Sequence, residues 1–385
     1  MQDAEVAMNT SYTIAARPQA GVLTENLWLH NKTWDLTFIS LSAVLVVLPF
    51  AAYEFFQYLL GFESVRLALG VQAGDVPDVS RNTVNGLIAL LIGGPHMYAT
   101  YTRTFLDGDF RKKHLMFLLG SLVLPFVVVY MGIVNFRLLI TFFFFWASVH
   151  ILHQIAYIID GYNLKRSTKI STQARILDYV VVFSSLYPIG VWRMVNNDFR
   201  IGKIELMFPN FMMIESNPAL GWAIFLVATM IFGISLTLWV WKSYREYVRG
   251  ELHAPKALLM ALTIVVAFFI PSYHELDVAF QGFNTWHSFQ YLGLTLYINR
   301  LRQHKEGIST PLVRNMSLEG RGWRFYTFNV GCAIGALAAI VVLLVNKEAL
   351  GFSFDQCYYI VVLSFLLMHY YHDHFLFTRM EELQA

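Results

Sequence analysis

Four stretches of this chain set histidines into otherwise apolar sequence. They are GGPHMYATYTR around His96, WASVHILHQIAYIID with His150 and His153, NTWHSFQYLG with His287, and MHYYHDHFLF with His369, His372 and His374. Seven of the 12 histidines lie in these stretches. Neutral imidazole is the commonest protein ligand for metals, and an ionisable group at membrane depth is costly enough to be read first as functional. Spacing groups the residues further. His150, His153, Tyr157 and Asp160 fall at i, i+3, i+7 and i+10, and His369, His372 and Asp373 at i, i+3 and i+4. Each set therefore shares one side of a helix. Asn284, His287, Gln290 and Tyr291 make a polar stripe on a third segment. His96 follows Gly93-Gly94-Pro95, a run expected to kink or open its helix and expose carbonyls that another group can satisfy. The candidate metal ligands are thus His96, His150, His153, Asp160, His287, His369, His372 and Asp373. The aspartates serve either as ligands or as acceptors that fix an imidazole tautomer. His374 is turned away from His369 and is left out of the set.

Such side chains need rigid elements to hold them, and composition says which. Hydrophobic residues make up 56% and charged residues 14% of the chain, against about 25% charged in a soluble domain. Thirty-two Phe and 20 Tyr suit lipid contact and interfacial aromatic belts. A net charge of +2, without a basic-aromatic stripe, excludes a nucleic-acid partner. Cys332 and Cys357 lie far apart in apolar segments and read as small buried hydrophobes, not as a disulfide or thiolate site. The first twenty residues lack a basic region followed by an apolar run, so no cleavable signal peptide is expected.

At about 20 apolar residues per span, ten helices are expected, near 35–58, 83–105, 115–134, 137–160, 175–194, 220–242, 256–273, 276–298, 325–346 and 355–378. The expected architecture is an all-α polytopic membrane bundle. A polar segment over 1–33 precedes one transmembrane domain over 34–379 and a short tail over 380–385. The stretch IELMFPNFMMIE is too short to span and is expected at the interface or re-entering partway. Gly331, Gly335 and Ala339 form a small-residue face expected to pack closely on a neighbour. Glu54 and Asp178 read as boundary residues, and His30, His114, His253 and His304 as solvated or interfacial.

Cation placement supports the count. With both termini cytoplasmic, 21 of the 28 Lys and Arg fall in inside segments. Only Arg66, Arg81, Arg137, Arg193, Arg200, Lys203 and Lys347 are left outside, as the positive-inside rule expects. The four histidine-bearing helices then run in the same direction. At 1.5 Å per residue their imidazoles share a layer within roughly 9–20 Å of the cytoplasmic boundary.

The chemistry implied is a membrane oxidoreductase of desaturase, hydroxylase or oxygenase type. It would hold non-haem iron, most simply two irons, and act on a lipid-soluble acyl chain, isoprenoid or quinone, with a cytoplasmic electron donor. In general type the pattern resembles the histidine-rich membrane desaturases and hydroxylases. Their HxxxH and HxxHH boxes are absent, so no residue role is carried over. Copper, or haem b in an electron-transfer subunit, is the next reading. A proton- or metal-coupled transporter is the third, weakened because the polar groups read as concentrated on one side. On the ligand set above, His153→Ala and His369→Ala are each expected to lose bound metal.

Overall fold

Lipid offers no partner to a backbone N–H or C=O, so an apolar run can cross it only as a helix that satisfies itself. Each of the ten expected runs is helical in the computed structural model, which describes residues 27–166, 169–305 and 307–383. The first twenty residues, with the reading that they contain no leader, and Arg17 lie outside that range. The segments are α1 (Lys32–Gly61), α2 (76–101), α3 (Leu115–Val134), α4 (Phe136–Leu164) and α5, which is Thr172–Ser184 and Tyr187–Val195 bent by 41°. They continue as α6 (Pro218–Val248), α7 (Ala254–Ser272), α8 (Leu276–Lys305), α9 (Gly322–Val345) and α10 (Phe354–Leu376). The fold is all-α and 81% helical. Among the described residues, six helices are long and apolar enough to cross a membrane, or seven with bent α5 counted as one span. The three that fall short, α2, α8 and α10, carry His96, His287 and the His369 group, whose polarity lowers their hydropathy.

α8 and α4 form the interior, and α6 lies at the rim: 61% of the most apolar window of α4 is buried, but 11% of that of α6. α8 packs on α1, α2 and α7, α4 on α7, α8 and α10, and α10 on α2, α3 and α9. Helix starts follow from capping residues. Asn135 accepts from Leu138 N, Asn217 from Leu220 N, and Ser353 forms a capping box with Gln356.

The two irregular helices matter most for the site. Pro95 has no N–H, and its ring displaces the carbonyl four residues earlier. α2 accordingly widens to a π turn over Ala89–Gly93 before resuming at Gly94–Tyr101. The carbonyl of Leu91 accepts instead from the Tyr326 hydroxyl of α9 at 2.7 Å. Gly94 is required here, because a Cβ would sit 2.2 Å from the Ala89 carbonyl and 2.8 Å from Ala333. α1 likewise runs through a π turn (Asp35–Ser40) and a 3-10 stretch (Leu41–Val46). The Ile39 carbonyl accepts from Gln290 Nε2 of α8 at 2.5 Å, which locks α8 in rotation.

Several expectations are corrected. Gly331, Gly335 and Ala339 face outward, and a Cβ added at either glycine meets nothing within 4 Å. The widened α2 draws Ala333, on the other side of α9, into contact instead. Asp178 is not exposed at its helix end but fully buried, paired with Lys242 and with Lys256 at 3.0 Å. His253 is buried as the N-cap of α7, accepting from Lys256 N. The IELMFPNFMMIE stretch does not span: its Ile204–Glu205 pairs in a hairpin with the preceding Arg200–Ile201, and a turn follows at Asn210–Met212. It is held to α4 by Met207 N on Thr141 Oγ1 at 2.8 Å.

Candidate metal centre

Four helices bring five of the eight candidate ligands to one point. His96 (α2), His150 (α4), His287 (α8), His369 and Asp373 (α10) are each at most 4% exposed. Ring centroids lie 4.7 Å apart for His96–His369, 5.0 Å for His150–His287 and for His150–His369, and 5.1 Å for His96–His287. One donor atom from each of His96, His287 and His369 falls within 4.8 Å of the others, and the same holds for His150, His369 and Asp373. His369 is common to both groups. Metal–nitrogen bonds of about 2.0–2.1 Å leave donor atoms about 3–4 Å apart, so modest side-chain movement would close either group around an ion.

The surrounding hydrogen bonds decide which nitrogen faces inward. His369 Nδ1 lies 2.6 Å from Thr100 Oγ1. With the single Thr100 proton on Asp373 Oδ1 at 3.0 Å or on the Tyr291 hydroxyl at 2.7 Å, Thr100 accepts from His369 Nδ1–H and the lone pair of His369 is on Nε2; a Thr100 that donates to Nδ1 gives the other tautomer. Tyr291 donates to Asp373 Oδ1 at 2.6 Å. His96 repeats the device. With Ser288 Oγ donating to Asn284 Oδ1 at 3.2 Å, it accepts from His96 Nδ1–H at 2.8 Å, and in that tautomer the lone pair of His96 is on Nε2. His150 is held by stacking on Tyr370, with centroids 4.0 Å apart. Gln154 fixes the backbone beside His287, donating to its carbonyl at 3.2 Å. These are the outer contacts that orient metal-binding imidazoles.

What remains is a set of buried atoms without a hydrogen-bond partner among the described residues. They are Nε2 of His96, His150 and His369, both ring nitrogens of His287, and Asp373 Oδ2. A buried polar atom left unpaired costs about 1–3 kcal/mol. Six of them at one point approach the roughly 5–15 kcal/mol net stability of a whole domain. Scattered helix-packing histidines have no reason to leave their unsatisfied atoms converging. A bound cation would take up the lone pairs among them, one nitrogen from each imidazole and the Asp373 oxygen.

The other three candidates are placed elsewhere. His153 is 60° around α4 from His150 and one turn along. It packs on Phe377 and on the exposed His374, with ring centroids 5.3 Å away in each case. His372 is rotated in the same way on α10. Its nitrogens meet Thr104 Oγ1 at 3.2 Å and Ser121 Oγ at 2.9 Å, outside the cluster. Asp160 pairs with Arg175 at 2.5 Å and with the Tyr179 hydroxyl, at the end of α4. Sequence reading missed Thr100, Ser288 and Tyr370 as supporting groups. The signal for Thr100 was present, since it sits one turn beyond His96; nothing local marked Ser288 or Tyr370.

Comparison of the chain with protein-family models, with curated proteins and with solved structures found no match. The functional reading therefore rests on the chemistry of the donor set. The protein is a multi-span helical membrane protein with buried histidine clusters that could hold a metal.

Proposed function

We propose that the protein is a membrane-embedded oxidoreductase with one non-haem iron ion, acting on a lipid-soluble substrate. The observation that carries this reading is the convergence of four imidazoles and one carboxylate whose inward atoms have no protein partner among the described residues. Neutral imidazoles with a carboxylate suit iron or copper. With Asp160 engaged by Arg175, Asp373 is the one carboxylate within the cluster among the described residues. That favours a single ion over the carboxylate-rich di-iron arrangement. Haem b is disfavoured because the imidazoles close on one another in edge contact, where an axially bound haem needs a flat slot between them. An iron held at fewer than six positions supplies oxidative chemistry at an open coordination site.

Two surfaces support the substrate and donor. An apolar recess lined by Phe144, Phe145, Leu186, Gly190, Phe280 and Phe283 lies between α4, α5 and α8. Phe283 is one turn from His287, so an acyl, isoprenoid or quinone chain seated there points at the centre. At the ends of α2, α8 and α10 a polar recess is lined by Lys113, Arg302, Lys305 and Arg379 with Asp109 and Glu382. It suits an anionic soluble electron donor. In this reading all ten segments cross the bilayer, both termini are cytoplasmic, and the centre lies in the cytoplasmic half.

The test is anaerobic reconstitution of purified protein with ferrous iron, followed by nitric oxide. A ferrous–nitrosyl EPR signal in the native chain, absent from His369→Ala, is expected. A Soret band in the protein as purified, or no nitrosyl signal, would overturn the reading.

A further inference from the structure

The imidazole cluster is also approached from the other end of α8 by groups that the proposed chemistry does not use. Asp277, Gln281, Asn284 and Ser288 recur at i, i+4, i+7 and i+11, so they line one side of the helix. From Gln281 inward they are bonded in series. Asn284 Nδ2 donates to Gln281 Oε1 at 3.2 Å, Ser288 Oγ to Asn284 Oδ1 at 3.2 Å, and His96 Nδ1 to Ser288 Oγ at 2.8 Å. A cavity runs beside this series, with Asp277, Gln281, Asn284 and His96 on its polar wall and Phe143 and Phe280 on its apolar wall. At 1.5 Å per residue, Asp277 and Ser288 are about 17 Å apart, roughly half the hydrocarbon thickness of a bilayer.

The far end of the cavity is charged. Asp277 is 3% exposed, its Oδ2 lies 3.4 Å from Arg81 Nη1, and that oxygen has no hydrogen-bond partner among the described residues. Arg81, 5% exposed, is drawn also toward Asp78 and Asp355, and its Nε is likewise without a partner among them. The guanidinium lies where a Cβ on Gly202 would be, so the hairpin closes over it through a residue that must be glycine, at φ 55°. Buried polar atoms facing a cavity are satisfied by water, which needs 2–4 such partners. Polar side chains at membrane depth are tolerated where they line a water-filled cavity.

We propose that this cavity is a water-filled half-channel. It brings water and protons to the imidazole cluster from the Arg81 end, separately from the polar groups at the Thr100–Asp373 end. The alternative is a dry polar seam that only packs α8 against α2. The cavity and its lining carry the proposal, whichever metal the centre holds.

Substituted-cysteine accessibility separates the two. In a Cys332→Ala/Cys357→Ala background, Gln281→Cys and Asn284→Cys are placed in sealed vesicles and treated on either face with a membrane-impermeant cationic methanethiosulfonate. Lys203→Cys, exposed on the hairpin, reports the face. Val278→Cys, fully buried beside the same turn of α8, reports a position off the cavity. The half-channel gives labelling at Gln281→Cys at least ten times faster than at Val278→Cys, from the same face as Lys203→Cys and not from the other. Asn284→Cys follows more slowly, in order of depth. Labelling no faster than at Val278→Cys, or equal from both faces, overturns the proposal. The Gln281 side chain is half-buried and, among the described residues, bonded through Oε1 to Asn284, so its variant separates channel from seam even if Asn284→Cys does not fold.

Discussion

Replacing His287 by leucine separates a metal ligand from a packing histidine, because the two roles predict opposite signs. His287 is 2% exposed and neither ring nitrogen has a hydrogen-bond partner among the described residues. In the metal-free protein those two atoms cost about 1–3 kcal/mol each. An apolar side chain of similar reach removes that cost and loses some packing, so metal-free stability is expected to hold or rise by about 1–3 kcal/mol. With metal the sign reverses. Loss of an outer hydrogen bond typically weakens a site 10–100-fold, so loss of one of four imidazoles is expected to weaken it by at least about 100-fold. At an iron concentration of about 100 Kd the native chain gains about 2.7 kcal/mol from binding, while the variant gains about 0.4 kcal/mol. Thermal unfolding in detergent, followed by tryptophan fluorescence with and without ferrous iron under anaerobic conditions, reads both quantities. A His287→Leu variant clearly destabilised without metal, together with a native chain that iron leaves unmoved, refutes the ligand role. That pair of results describes an imidazole that only packs.

Other expectations follow from the same geometry. Thr100→Val and Ser288→Ala each remove the acceptor that fixes an imidazole tautomer, and each is expected to weaken iron binding 10–100-fold in a competition titration. His153→Ala, His372→Ala and Asp160→Asn are expected to keep near-native metal content by elemental analysis, since those side chains lie outside the cluster. Gly94→Val is expected to destabilise the fold by about 1–3 kcal/mol, because its side chain meets the Ala89 carbonyl and Ala333. His253 lies just outside α7, and burial, followed by Lys256 and Arg166, holds its pKa down at about 3. The unfolded chain takes up that proton near pH 6.5 and the folded chain does not, so stability falls as pH drops from about 6.5 toward 3. Between pH 6.5 and 5 the loss is on the order of 2 kcal/mol. His253→Asn keeps the N-cap and is expected to flatten this part of the stability–pH curve.

The helices were legible because apolar run length alone dictates them in lipid, and the common layer of His96, His150, His287 and His369 followed from counting residues. Rotation was harder. A spacing of i, i+3 puts two side chains on one side of a helix but leaves them 60° apart, enough to send His153 and His372 to different neighbours from His150 and His369. The rotation of α2 was not readable either, because Pro95 inserts a π turn and shifts the faces of everything before it. Asp160 turned away because its partners, Arg175 and Tyr179, sit on the next helix. Nor are the polar groups confined to one side of the bundle. Asp277, in the first turn of α8, continues the line of Gln281 and Asn284 toward the opposite end of that helix.

The central claim is that His96, His150, His287, His369 and Asp373 hold one metal ion. Elemental analysis of protein purified without chelator from iron-supplemented cells tests it most directly. The predicted result is about one iron per chain, falling to near zero in His369→Ala recovered at native yield. Native protein without stoichiometric metal, or a variant that keeps it, contradicts the claim.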